Sequence, residues 1–217
     1  MSLNTVVVTG VKTSPLGELP FQTPQDTTLE RMFSGKDYGN FLPELWAFMR
    51  GKALHPQLAV TSPLATALKE KAWAVVTDTV DGRLKSAKVW PLVETSGSIF
   101  RGRCLRCHQV MDVTREDYQS LPLGGVPSCL HCGKNRVRPD VVLVGEKMHH
   151  RRLVDDFMVE ADLVVFVSVN EEAPDIQHWA SLAKRSLIVN KGDGVLSGRR
   201  LDLTTNEWLA AGCPNTQ

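Results

Sequence analysis

Continuous runs of β-branched and other apolar residues recur along the chain, and such runs predict strands that are buried on both faces of a sheet. They lie at residues 5–8, 72–77, 90–94, 140–146, 161–167 and 186–190. Segments with apolar residues at helical spacing alternate with them, at residues 41–49, 64–71, 150–160, 179–184 and 203–211, and residues 26–30 offer a capping-box start. This alternation predicts an α/β fold with a doubly wound, mainly parallel, Rossmann-like sheet.

The segment from Arg101 to Arg138 interrupts this pattern. It is rich in cysteine, arginine and glycine, and its apolar runs are short. We therefore expect it to be a small inserted module that is too polar to contribute to the core. The predicted organisation is a Rossmann-like domain formed by residues 1–100 and 138–217, with the module at residues 101–137.

Two CxxC pairs give this module its chemistry. Cys104 and Cys107 form the first pair, Cys129 and Cys132 the second, and residues 108–128 separate them. Two such pairs can place four thiolates around Zn²⁺ in a tetrahedron, each at about 2.3 Å. Since four thiolates leave no open coordination position, the pattern predicts a structural zinc ion, with unpaired or disulfide-bonded cysteines as the alternative.

The overall composition sets limits on the function. Hydrophobic residues make up 42% of the chain and charged residues 23%, which is typical of a globular protein and excludes general disorder. The 25 Lys+Arg nearly balance the 24 Asp+Glu, so no overall electrostatic case exists for binding nucleic acid or a membrane. No apolar run approaches the roughly 20 residues of a membrane span, and the first residues lack a signal-peptide pattern. We expect a soluble, intracellular protein, most simply cytoplasmic.

Two residue types bear on the surface of the protein. Basic residues flank the cysteines, and they suit a solvated rim as well as a binding role: Arg101, Arg103, Arg106, Lys134, Arg136 and Arg138. The five tryptophans are expected in the core: Trp46, Trp73, Trp90, Trp179 and Trp208. A tryptophan that proved to be exposed would indicate a surface for a partner.

Several short motifs follow one another in a familiar order. Val8-Thr9-Gly10 is similar to the start of a glycine-rich loop. Residues 76–82 are similar to the motif Thr-Gln-Asn-Ile-Asp-Gly, and residues 94–98 are similar to the motif Glu-Leu-His-Gly-Ser. Residues 138–146 are similar to Arg-Pro-Asp-Val-Val followed by Phe-Gly-Glu, and residues 187–190 to a late Ile-Asn strand. Together with the cysteine pairs, these motifs resemble the sirtuins, the NAD-dependent protein deacylases, over residues 4–208.

The resemblance also implies that the catalytic residues differ here. Ser96 stands where the family has the histidine that acts as general base, and a serine hydroxyl cannot accept a proton near neutral pH. Asp78 and Thr79 stand where the family has the glutamine and asparagine around the nicotinamide ribose, whereas Asp81 is retained. We therefore assign no catalytic residue in this chain.

The cofactor motifs are altered as well. The family's Gly-Ala-Gly loop, which lets backbone approach a pyrophosphate, corresponds to Gly10-Val11-Lys12, and residues 168–170 replace a Gly-Thr-Ser. The cofactor contacts that the resemblance still implies are Gly10, Ser14, Asp81 and Asn190. The changed motifs argue against NAD, whereas the cysteines keep the case for zinc.

Three functions are compatible with this pattern. The leading hypothesis is a sirtuin-like protein without catalytic activity that acts as a binding or assembly module, with another protein as its partner. The alternative is an active NAD-dependent deacylase or NAD-consuming enzyme with an atypical site. A third is a sensor of phosphate or nucleotide that uses Lys12 and the first loop.

Overall fold

The computed structural model describes residues 4–10, 13–14, 31–60 and 62–213. These residues form nine strands: β1 Thr5–Thr9, β2 Ala74–Thr77, β3 Leu92–Glu94, β4 Gly97–Cys104, β5 Val110–Asp112, β6 Val137–Val141, β7 Leu163–Val167, β8 Ser186–Val189 and β9 Arg199–Leu201. Six of them make a parallel sheet in the order β3-β2-β1-β7-β8-β9. The predicted α/β class with a mainly parallel sheet is confirmed.

The same residues form seven α-helices: α1 Leu42–Ala53, α2 Pro63–Lys71, α3 Arg83–Ser86, α4 Arg115–Ser120, α5 Arg151–Glu160, α6 Pro174–Leu182 and α7 Thr205–Ala210. Local sequence explains where several begin. Ser62 caps α2 by accepting the Ala65 N–H, and Thr114 and Thr204 form capping boxes with Asp117 and Glu207. Within the described part of the chain, no helix has the length and apolar character needed to cross a membrane.

The order of the strands reverses at β1. From β1 the chain builds outward through β2 and β3 on one side, and later through β7, β8 and β9 on the other. In an open parallel sheet the crevice beyond the carboxyl ends of the strands at such a reversal is the usual ligand site. The loops that follow β1 and β7 are therefore the expected position of a ligand site.

Both faces of the parallel sheet are covered, which explains the continuous apolar runs. Val7 faces the side that packs against α2 and α7, where Trp208 is buried. Val6 and Val8 face the opposite side, with Met158 of α5 and Trp179 of α6. Successive residues of β1 thus enter two different cores, which explains why its three central positions are all valine.

The second sheet corrects one prediction. Residues 140–146 were expected to form a strand of the parallel sheet, but the strand is β6, and it pairs antiparallel with β4 in a three-stranded sheet of order β5-β4-β6. An apolar run shows that a strand is buried but not which sheet it joins. This small sheet extends beyond both predicted boundaries of the inserted module, since β4 begins at Gly97 and β6 ends at Val141. The division of the chain into a Rossmann-like domain and a module stays a prediction.

The inserted segment is also less polar inside than its composition suggested. Tyr118, Val113 and Val137 are buried in a core that they share with α1. Trp46 of α1 is fully buried there, and its Nε1 donates a 2.7 Å hydrogen bond to the carbonyl oxygen of Val137. The expectation that this segment stays outside the core was wrong, because a few apolar residues at strand and helix positions suffice to join it to α1.

Other sequence predictions differ in detail. Trp90 is 83% exposed, in the turn before β3, whereas the sequence placed it in the core. Helix α6 starts at Pro174, earlier than predicted, because proline suits the first turn of a helix. The capping-box start predicted at residues 26–30 lies outside the described residues.

Candidate functional site

The four cysteines of the CxxC pairs converge at one point. Their sulfur atoms all lie within 4.8 Å of one another, and the Cys104–Cys132 and Cys107–Cys129 Sγ pairs are each 3.6 Å apart. These separations are far longer than a disulfide bond of about 2.05 Å. The cluster could hold a metal ion, and sulfurs at about 2.3 Å from a tetrahedral zinc would be about 3.8 Å apart.

Each cysteine pair sits in a tight backbone turn. The Arg106 N–H donates to Cys104 Sγ at 3.4 Å, and the residue after each pair, His108 or Gly133, has a positive φ. Cys104 ends β4 and is paired with Val137 of β6, so the small sheet fixes one side of the cluster. Cys213 lies elsewhere, in the core beside Trp208.

A crevice of about 560 Å³ opens at the carboxyl ends of β1, β7 and β8. The predicted cofactor residues Ser14 and Asn190 both line it. The other described lining residues are Thr13, Ser62, Pro63, Leu64, Arg83, Ser168, Lys191, Thr204, Thr205, Asn206 and Leu209. Among these described residues there is no histidine, cysteine or carboxylate, so they supply hydroxyl, amide and cationic groups but no general base.

Gly10 is not among the described lining residues, but its main chain packs against Ser168, which is one of them, and we call this packed backbone the floor of the crevice. The Gly10 N–H donates to the carbonyl oxygen of Val167 at 3.0 Å, and a Cβ on Gly10 would lie 2.2 Å from the carbonyl oxygen of Ser168. Thr13 turns the chain back by donating its N–H and its hydroxyl to the carbonyl oxygen of Gly10. Glycine is therefore required here for packing between two loops, whether or not a phosphate binds.

A polar network fixes Asn190 at the rim. Its Nδ2 donates to Glu171 Oε1 at 2.7 Å and to the Val169 carbonyl oxygen, while its buried Oδ1 has no partner in the described part of the chain. Burial alone would raise the pKa of Glu171, but hydrogen bonds from Arg200, the Leu196 N–H and Asn190 outweigh it and lower that pKa. The network therefore holds the Asn190 side chain in one orientation.

The structure places Asp81 apart from Ser14 and Asn190. Asp81 is buried and lines a separate cavity of about 440 Å³, where its Oδ1 accepts the Arg83 N–H at 3.0 Å. Arg83 lines both cavities and is the link between them. Thr79, nearby in sequence, is turned inward and its hydroxyl is 2.9 Å from that of Thr77.

Ser96 lies in the tight turn between β3 and β4. Its carbonyl oxygen accepts the Val142 N–H, and the next carbonyl upstream, that of Thr95, accepts the His149 N–H at 2.9 Å. A histidine that is distant in sequence is thus anchored beside this turn. Burial lowers the pKa of His149 despite the opposing charge of Asp140.

Sequence reasoning missed the charged cluster that surrounds His149. Arg101 contacts both Glu94 and Asp140, and Arg103 Nε donates to Asp140 at 2.9 Å. Burial raises the pKa of Glu94 even though Arg101 opposes this. Arg101 and Arg103 alternate along β4, and Asp140 lies on the neighbouring strand β6. This pattern could have predicted the charged cluster, but only if the pairing of β4 with β6 had been known.

Comparison with known proteins finds similarity to the Sir2 family and to NAD-dependent deacetylases and deacylases. The model of the Sir2 family matches residues 25–171. An NAD-dependent protein deacetylase of Clostridium perfringens is 26% identical over 191 residues, which cover 84% of this chain and 76% of that protein. The NAD-dependent protein deacylase 2 of Archaeoglobus fulgidus is 34% identical over 142 residues, which cover 60% of this chain and 53% of that protein.

Several other curated relatives are matched over less than half of their length, such as the NAD-dependent protein deacylase of Aeropyrum pernix at 38%.

Solved structures resemble the fold. One described as the structural basis of sirtuin substrate affinity superposes with a TM-score of 0.76 at 20% identity, covering 95% of this chain and 91% of the other. Another, described as Sir2-p53 peptide-NAD+, has a TM-score of 0.72 at 22% identity, with 95% and 90% covered.

Proposed function

Since the chain belongs to the Sir2 family, we propose that it keeps the scaffold of that family but acts as a binding or assembly module without deacylase activity. One observation carries this proposal: the described residues that line the crevice include no group that could take a proton near neutral pH. Ser96, at the position where the family resemblance puts a histidine, lies in a turn and offers only a hydroxyl. The scaffold would then serve to present surfaces, with another protein as the partner.

We further propose that the cysteine cluster holds a structural zinc ion. Cys104, Cys107, Cys129 and Cys132 would bind it, and the observed sulfur separations suit a tetrahedral site. Four thiolate ligands leave no position for a water or substrate, so the zinc would supply folding energy and no chemistry. It would join the end of β4 to the second cysteine pair.

Binding in the crevice is the function that its geometry supports best. Hydroxyls of Thr13, Ser168 and Thr205 and the side-chain amide of Asn206 suit a small ligand rich in hydroxyl groups. The floor is already formed by backbone contacts, so such a ligand would find a site that needs little rearrangement. Holding a ligand in this way requires no proton transfer.

The test is an assay of NAD-dependent deacylation with acetylated and longer-chain acylated peptides, read as nicotinamide release and as loss of the acyl group. We expect no product above the level of a control without NAD. Isothermal titration with millimolar NAD and ADP-ribose then reports whether the crevice binds either molecule. Product that requires NAD and disappears in an Asn190→Ala variant would overturn the proposal.

The alternative, an active enzyme with an atypical site, has one supporting observation. The main chain of His149 is hydrogen-bonded next to Ser96, so an imidazole is near the turn where the family resemblance puts its base. If the wild-type protein turns over NAD, a His149→Phe variant shows whether His149 is required for that turnover. Loss of turnover with an unchanged melting temperature would assign His149 the role of the base.

A further inference from the structure

A large basic groove lies between the small sheet and the segments at residues 35–39 and 146–149. Its volume is about 710 Å³, and we define it by its basic side chains, which are Lys36, Arg103, His108, Arg136, Arg138, Lys147 and His149. The remaining lining residues include a single carboxylate, that of Glu146, among the described residues. This concentration of positive charge contrasts with a net charge of only +1 for the whole chain.

Internal ion pairs neutralise part of the groove. Arg138 binds Glu146 with both guanidinium nitrogens, at 2.5 and 2.8 Å, and stacks on the ring of Tyr38 at 4.6 Å. Burial would raise the pKa of Glu146, but these hydrogen bonds and the Leu143 N–H outweigh it and lower that pKa, so this pair is ionised at neutral pH. Arg103 is paired with Asp140.

Three cations remain without a carboxylate partner in the described part of the chain: Lys36, Arg136 and Lys147. All three are exposed and come from different segments, two of which lie outside the cysteine module. Balancing the negative charge of a four-thiolate metal centre would therefore explain Arg136 but not the two lysines. Their convergence on one cavity needs another reason.

The lining of the groove indicates which anion it suits. Single-stranded nucleic acids are held mainly by large aromatic side chains on which bases stack, and the one Phe, Tyr or Trp ring among the described lining residues, Tyr38, is covered by Arg138. A flexible run of carboxylates needs only cations within reach and no stacking surface. Three separated cations around a cavity of this volume match a few residues of an extended chain.

We propose that the basic groove docks an acidic, aspartate- or glutamate-rich segment of a protein partner. Lys36, Arg136 and Lys147 would contact the carboxylates, and the Arg138–Glu146 pair would keep the wall of the groove rigid. The proposal rests on the proposed function as a binding module and specifies the chemistry of the partner. It does not involve the crevice at the carboxyl ends of the strands.

The test uses the full chain with its metal and a fluorescein-labelled oligoglutamate peptide, followed by fluorescence anisotropy. We expect saturable binding that weakens at least several-fold when NaCl rises from about 50 mM to about 500 mM, because screening shortens the range of charge interactions. An Arg136→Glu/Lys147→Glu variant should bind about tenfold more weakly or worse, since it places like charges opposite the peptide. Thermal melting checks that the variant is folded.

A matched control is available on the same module. Lys134 is exposed like Arg136, and the main-chain carbonyl of each accepts one backbone N–H, but Lys134 does not line the groove. Lys134→Glu should therefore change the affinity by less than about twofold. An equal loss in Lys134→Glu, no binding of oligoglutamate, or tighter binding of single-stranded oligothymidine would each overturn the proposal.

The outcome is separable from that of the deacylation assay. A protein that binds oligoglutamate and also turns over NAD would support the groove and refute the non-enzymatic proposal. A protein that does neither would refute the groove alone. His149 lines the groove as well, but the groove variants leave both Asn190 and His149 unchanged, so a loss of oligoglutamate binding in them reports on the groove cations.

Discussion

The cysteine cluster and the crevice are built in opposite ways. In the cluster, four side chains from two segments meet at one point, and each would be a direct ligand of the metal. In the crevice, main-chain contacts of Gly10 with Ser168 and Val169 make the floor, and short polar side chains stand around it. Replacing one cysteine removes the cluster, whereas replacing one lining residue leaves the crevice in place.

Under the proposal of a protein without deacylase activity, this difference explains how a family scaffold could persist while its chemistry changed. Residues that hold the fold together, such as the cysteines and Gly10, cannot be replaced without structural cost. Residues that would act on a ligand, such as Ser96, make few contacts that the fold needs; the described hydrogen bond of Ser96 uses its main chain. Four measurements would test this difference between the two sites.

The largest effect is expected from the metal ligands. Cys129→Ser should lose the bound metal and unfold the cysteine module, because a structural zinc contributes about 10–16 kcal/mol in zinc-finger peptides. Atomic emission should find zinc in a one-to-one ratio with the wild-type chain and far less in the variant, with a loss of structure seen by tryptophan fluorescence. Cys213→Ser is the control, and it should keep its metal because Cys213 lies in another core. Full zinc content in Cys129→Ser would contradict the assignment.

The next effect concerns the contact between α1 and the small sheet. Trp46→Ala should lower the free energy of unfolding by about 3–5 kcal/mol, since it empties a fully buried site and removes the donor to Val137. Trp90→Ala provides the matched control. Because Trp90 is 83% exposed, its replacement should change stability by no more than about 0.5 kcal/mol. Urea titration measures both, and similar losses in the two variants would refute the described packing.

A smaller effect is expected at the floor of the crevice. Gly10→Ala would place a Cβ 2.2 Å from a backbone oxygen, and the forced shift should cost about 1–3 kcal/mol. Gly51→Ala is the control, because that glycine lies in α1 with nothing within 4 Å of an added Cβ. Alanine there should stabilise the protein by up to about 1 kcal/mol. A Gly10→Ala protein as stable as the wild type would show that the floor is not tightly packed.

The smallest effect is the pH dependence at the rim. Because hydrogen bonds hold the pKa of Glu171 below its usual value of 4.5, its contribution to stability is present above that pH and is lost as the pH falls through the lowered pKa. Glu171→Gln should cost about 1–2 kcal/mol near neutral pH and less in acid, since it removes a charged acceptor. Melting temperatures between neutral and acidic pH test this. The exposed neighbour variant Glu172→Gln should follow the wild-type curve, and an identical curve for Glu171→Gln would contradict the prediction.

The sequence predicted the parallel sheet well because its strands are buried on both faces. Val164 and Phe166 face one core and Val165 the other, so the whole of β7 is apolar and easily recognised. The second sheet was harder, since β6 contains the charged Arg138 and Asp140, which are buried through ion pairs with residues outside the strand: Glu146 for Arg138, and the distant Arg101 and Arg103 for Asp140. A local pattern cannot reveal such pairing.

The candidate sites were predictable to different degrees. Spacing alone was enough to locate the cysteine cluster, and the family resemblance brought Ser14 and Asn190 to one crevice. It did not indicate that Asp81 faces another cavity, nor that Glu171 and Arg200 support Asn190. Glu171 lies in the loop after β7 and Arg200 within β9, and only the folded sheet brings the two together. The roles of Gly10, Ser14, Asp81 and Asn190 toward a cofactor stay predictions.

Arg83 separates the two cavities near the carboxyl ends of the strands and belongs to the walls of both. Its main-chain N–H is held by Asp81, and its side chain reaches the carbonyl oxygen of Val60 at 3.2 Å. The Arg83 side chain is therefore part of the boundary between the two cavities, and shortening it would enlarge the space on both sides. An Arg83→Ala replacement is the simplest way to make room for a larger ligand.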